Sequence, residues 1–134
     1  MESMTDPRDD AATNGAMVHE AIAPISALRG IVRRILFSRS TGAGSVQFPV
    51  PPTGAIYLTH IVRGSVRISY TWGASDCPDF YFGGQLLREL PIATIDQASM
   101  LVGIEFHPTG FYRTFGTPAF KLTDRAVPIK ELDV

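Results

Sequence analysis

Three histidines, one cysteine and a few scattered carboxylates are the residues of this 134-residue chain that could carry out chemistry, and their spacing limits what they can do. A metal-dependent cupin enzyme needs a His-x-His pair, a Glu a few residues on and another His one hairpin later, so that three or four ligands converge. His19, His60 and His107 are far apart, and no metal site is expected. His60 falls on an apolar strand face and reads as a hydrogen-bonded core or pocket histidine. Cys77 excludes an internal disulfide framework by being single. Asp76 and Asp79 flank it, and nearby negative charge raises a thiol pKa, so an inert loop cysteine is expected. Gly83-Gly84 lacks the lysine and following helix of a phosphate loop and reads as a bend or bulge. Glu89, Asp96 and Glu105 lie on different short segments and read as solvated surface charges rather than a glycosidase pair. No catalytic residue and no cofactor is expected.

Tyr70 and Trp72 are the more informative side chains. Each combines a large apolar body with a polar tip that finds a partner when buried, so they suit either a filled core or a ligand pocket. Two strand-like runs position them, Ile56-Tyr-Leu-Thr-His-Ile-Val62 and Ser65-Val-Arg-Ile-Ser-Tyr-Thr-Trp72, with Arg63-Gly64 between as a tight hairpin. Alternation puts Val66, Ile68, Tyr70 and Trp72 on one face, and Ile56, Leu58, His60 and Val62 on the apolar face of the first run. His60, Tyr70 and Trp72 are therefore expected to line the interior together as ligand-binding residues. A strict two-residue loop, however, places His60 opposite Arg67, which alternation points outward. An odd-length loop or a bulge at Gly64 restores the match, whereas an inward Arg67 would make the ligand an anion.

Twelve glycines and ten prolines in a chain that is 45% hydrophobic and 19% charged point to many short segments joined by turns, hence to β structure. Residues 1–20, with five acidic groups against Arg8, read as a flexible acidic leader, and 21–134 as one domain. Ile31 to Phe37 reads as a strand, Ser38 to Gly44 as a turn, and Phe48 to Gly54, with three prolines, as an extended connector. Gly73 to Pro78 reads as a loop; Phe80–Phe82, Gln85–Leu90, Ile92–Gln97 and Leu101–His107 read as strands. In the last, Val102, Ile104 and Phe106 are expected to face the core and Glu105 to point away. Pro108 to Phe115 reads as a short helix, with Phe111 and Phe115 on one face, Gly116 as its left-handed cap and Pro118 as a stop, followed by further short turns.

The run Val102-Gly-Ile-Glu-Phe-His-Pro-Thr-Gly-Phe-Tyr-Arg-Thr-Phe-Gly116 resembles the closing strand and helix of AraC-type regulator N-terminal domains. Leu122-Thr-Asp-Arg-Ala-Val-Pro-Ile-Lys-Glu-Leu132 is similar to that group's Leu-Thr-Asp segment and Val-Pro-Leu connector, and Pro52-Thr-Gly54 looks like its turn before the central strand. The resemblance implies a mostly β fold, a small cupin-like β-barrel or sandwich with one or two short helices near the C-terminus. A two-motif helix-turn-helix domain is then expected downstream.

Residues and resemblance together imply a bacterial cytoplasmic sensor that is not an enzyme. It binds an unidentified small-molecule effector, dimerises, or both, the resemblance allowing a homodimer. It would reach DNA only through the downstream domain, since its basic residues form no cluster. No apolar run approaches the roughly 20 residues of a membrane span, and the acidic start is no signal peptide. The alternative is a stand-alone, metal-independent cupin-type isomerase using His60 and Tyr70 as an acid–base pair.

Overall fold

A computed structural model describes residues 15–132 and shows a small β-sandwich of two antiparallel sheets. In chain order the strands are β1 (Ala16–Ile22), β2 (Val32–Thr41), β3 (Val46–Pro49), β4 (Ile56–Arg63), β5 (Val66–Tyr70), β6 (Gly73–Asp76), β7 (Phe80–Gly83), β8 (Ile92–Ile95) and β9 (Met100–Phe106). Helix α1 (Pro108–Phe115), a 3-10 turn (Ala119–Leu122), β10 (Ala126–Pro128) and a second turn (Ile129–Glu131) complete the chain. The larger sheet runs β1-β2-β9-β4-β7-β10 and the smaller β3-β8-β5-β6. No helix among the described residues is long and apolar enough to cross a membrane.

Most expected elements are present, and the helix is as the sequence predicts. Pro108 opens α1, Gly116 adopts φ 74°, and its N–H donates to the Tyr112 carbonyl at 2.8 Å. Local chemistry suffices there, because proline and a left-handed glycine act at the ends of a single element. β2 extends through the expected turn to Thr41 because both neighbours, β1 and β9, hydrogen-bond along it. β3 enters the proline-rich connector, and Pro49 is tolerated there because β3 lies at a sheet edge. The loop expected at residues 73–78 contains β6.

Four expectations are corrected. Residues 16–20 are not leader but most of β1, paired in register with β2 from Ala16↔Thr41 to Ile22↔Ile35. A weakly apolar segment becomes a strand here because a neighbouring edge satisfies its backbone. The rest of the expected leader, residues 1–14, lies outside the described residues. Residues 85–90 are not a strand: the Asp124 carboxylate accepts the backbone N–H groups of Leu87 (2.8 Å), Arg88 and Glu89 (both 3.2 Å) and folds the segment into a loop.

The third correction is topological: β4 and β5 do not form a hairpin. β4 pairs with β7 and β9 in the larger sheet, whereas β5 pairs with β6 and β8 in the smaller. Arg63-Gly64 is a corner by which the chain crosses between sheets. The expected conflict of register therefore vanishes, needing neither an odd loop nor an inward Arg67. Arg67 points outward to Asp76, at 3.1 Å. Gly64 sits at φ 91°, and a Cβ there would lie 2.7 Å from the Ser99 Cα, so both backbone conformation and space require glycine.

The fourth correction concerns faces. The apolar faces of β4 and β9 look away from the smaller sheet. Ile56 and Phe106 pack beneath α1 with Phe82, Phe111 and Leu122, and the rings of Phe82 and Phe111 meet edge-to-face at 5.3 Å. A second core lies between the sheets, formed by Ile61, Val66, Ile68, Tyr81, Ala93 and Ile95. Both faces of the central strands are covered, so the more polar alternate residues look into the sandwich.

Candidate functional site

The space between the sheets is not filled. A cavity of about 600 Å³ lies there, with a floor built from three rows of the larger sheet. Paired residues share a face, so strand register fixes each row. The first runs Arg34–Glu105–Tyr57–Gly83–Ala126, the second Ala21–Leu36–Gly103–Thr59–Tyr81, and the third His19–Ser38–Leu101–Ile61. The roof, from the smaller sheet, is largely apolar: Phe48, Val66, Ile68, Ala93 and Ile95. Small residues keep the interior open. A Cβ on Gly103 would meet the Leu36 Cβ only at 3.9 Å, and one on Gly83 the Tyr57 Cβ at 4.0 Å, so neither glycine is required by crowding.

The first row holds the ion pair, and the other two rows add polar side chains at Thr59 and Tyr81 and at His19 and Ser38. Glu105 is 1% exposed, and Arg34 Nε donates to its Oε2 at 2.5 Å while Arg33 Nη1 approaches Oε1 at 3.6 Å. That hydrogen bond and charge raise the Arg34 pKa further above its ordinary value. Both arginines reach one carboxylate because the β2–β9 register shifts between Val32 and Arg34. The Tyr57 hydroxyl lies 2.8 Å from the Thr53 hydroxyl, and burial raises its pKa. Burial pushes Tyr70 up to about 12 and Tyr81 higher still, so both remain neutral phenols near neutral pH. Cys77, against the second core, is pushed up to about 11 by burial, with Asp76 adding to the shift. At the third row His19 Nδ1 sits 2.7 Å from the Ser38 hydroxyl.

Of the three residues expected to line the interior, Tyr70 does. His60 points to the opposite side of β4, stacked on Phe80 with ring centroids 4.0 Å apart. Trp72 follows the end of β5 in a turn, is 64% exposed and stacks on the outer side of the lining, against the Tyr70 ring at 4.8 Å. Alternation by polarity misplaces His60 because it assumes that only one face of a strand is buried, and Trp72 because β5 ends at Tyr70, before the alternation reaches it. Glu105, expected on the surface, is buried for the same reason. Arg34, Tyr57, Thr59, Tyr81 and Gly103 escape a sequence reading. A glycine inside an apolar strand, Gly103, is the available signal, since such a residue marks a place where something approaches closely.

Fold and site define a class: a hollow β-sandwich with an interior cavity, apolar above and partly polar below. Residues 20–128 match the model of a family described as a domain of unknown function, DUF6597, and the chain belongs to that family. No curated protein and no solved structure matches it.

Proposed function

We propose that this domain is a small-molecule sensor, of the kind AraC-type regulators carry before their DNA-binding segment, and that it binds its effector between the two sheets. The cavity carries the reading: about 600 Å³ falls within the roughly 300–1,000 Å³ of small-molecule sites, which are mostly apolar with a few placed polar groups. Catalysis forms no part of this role. The sensor reading is favoured over an isomerase with His60 and Tyr70 as its acid–base pair because Tyr70, on β5 of the smaller sheet, lines the cavity whereas His60 stacks on Phe80 and is not part of the lining. The sequence resemblance over residues 102–132 supports the regulator setting, in which another segment reads DNA and two copies associate.

Thermal denaturation against a library of small metabolites tests the sensor reading, because a ligand confined to the folded state raises Tm. Hits should raise the Tm of the native sequence by several degrees and leave that of Gly103→Leu, whose side chain occupies the cavity, unchanged. Compounds that shift both proteins equally, or a native Tm indifferent to the whole library, would refute binding between the sheets.

A further inference from the structure

The formally charged side chains among the described lining residues are both arginines, Arg34 and Arg125, while the carboxylates that act on the lining, Asp124 and Glu89, do so from outside it, beside Tyr70. Glu105 balances one of the two arginines that converge on it and is itself covered, so the Arg33–Arg34–Glu105 cluster keeps a formal charge of one positive unit. Arg34 lines the cavity with its side chain 46% exposed; it commits its Nε–H to Glu105 and touches Tyr57, so guanidinium donors remain for a ligand. Arg125 stands beside Ala126 at the far end of the same row, with one Nη1 contact to the Lys121 carbonyl at 3.1 Å. Across from this row the roof presents the hydrocarbon of Phe48, Val66, Ile68 and Ile95.

Resting on the sensor reading, we infer that the ligand is a monoanionic amphiphile: an apolar body under the smaller sheet and one oxyanion, such as a carboxylate, at Arg34 and Tyr57. An anion enters an apolar enclosure only where a charge and donors meet it, and guanidinium offers both to an oxyanion. A neutral molecule of the same shape gains the apolar contact alone. A dianion would find the second guanidinium only at the far end of the row.

Two dyes sharing one skeleton test this: N-phenyl-1-naphthylamine, which is neutral, and 1-anilinonaphthalene-8-sulfonate, which adds one oxyanion. Fluorescence titration should give one site per chain, with the sulfonate bound about tenfold or more tighter, as charge-assisted hydrogen bonds imply. The paired variant Arg34→Gln/Glu105→Gln, which strands no buried carboxylate, should erase that preference and keep the neutral dye's affinity; Arg125→Gln should reduce it and serves if the pair does not fold. Gly103→Leu should lose both dyes. A neutral dye bound as tightly as the sulfonate, or a preference that survives both arginine changes, would overturn the anion while the cavity stands. Dyes bound equally by Gly103→Leu, or not bound by the native chain, would overturn the cavity reading and this inference together.

Discussion

Glu105 is held by two arginines of unequal quality, Arg34 at 2.5 Å and Arg33 at 3.6 Å. Arg34→Gln leaves a covered carboxylate with the more distant partner, and an incompletely satisfied buried group costs about 1–3 kcal/mol. Urea denaturation should show a loss in that range, while Arg34→Gln/Glu105→Gln should lose less because no charge is left behind. Equal losses would mean that Arg33 alone satisfies Glu105. The thiol and phenols give a pH prediction. Cys77 rises from 9.0 to about 11 on folding and Tyr70 from 10.0 to about 12. A group whose pKa is raised on folding contributes stability that is intact below its unfolded value and lost as pH climbs through its folded one. Tm should therefore hold up to about pH 9 and fall steadily from there to about pH 12, and Cys77→Ala should flatten the first part of that fall. A curve flat above pH 9 would contradict the burial of these groups.

At the scale of elements, the corner at Arg63-Gly64 matters more than any strand. It sends β5 to the other sheet and so places Tyr70 over the cavity while leaving His60 on the far side. Gly64→Ala combines a left-handed backbone with a collision at Ser99, and strain of this kind costs about 1–3 kcal/mol. Gly30→Ala, with nothing within 4 Å of its Cβ, is the control and should change stability far less. Denaturant midpoints of the two variants measure the difference; similar midpoints would show that the corner is soft. The loop over residues 85–90 is a second case, since three of its amides depend on the Asp124 carboxylate. Asp124→Ala should speed hydrogen exchange at Leu87, Arg88 and Glu89 selectively.

For the whole molecule, β1 is both a sheet edge and a wall of the site. Met17, His19 and Ala21 line the cavity, so removal of the chain through Ile22 should open it as well as expose the edge of β2. A shortened domain of this kind should lose the ligand-induced rise in Tm along with several degrees of Tm itself. Retained ligand response would place the binding site elsewhere. The same whole-molecule view explains the outward row Phe37–Val102–His60–Phe80, which lies beyond the reach of α1 and leaves Phe37 and Phe80 exposed.

By itself the sequence determined the features that local chemistry controls. Proline and glycine spacing marked α1 and its cap, β-branched runs marked most strands, and the proportion of turns marked the class as β. Alternation also revealed correctly that each strand has two chemically different faces. Only the tertiary structure decided which face looks where. In a sheet covered by a helix on one side and a second sheet on the other, polarity no longer distinguishes inside from outside, so His60 and Glu105 exchanged their expected places, and Arg34 and Tyr57 came to flank Glu105. The corner at Gly64 was likewise invisible as a corner, because a two-residue glycine turn and a crossover between sheets begin with the same residues. Which strand edge captures the next segment is set by long-range pairing, β5 with β8 and β4 with β9, and that pairing hollowed the interior around Gly103.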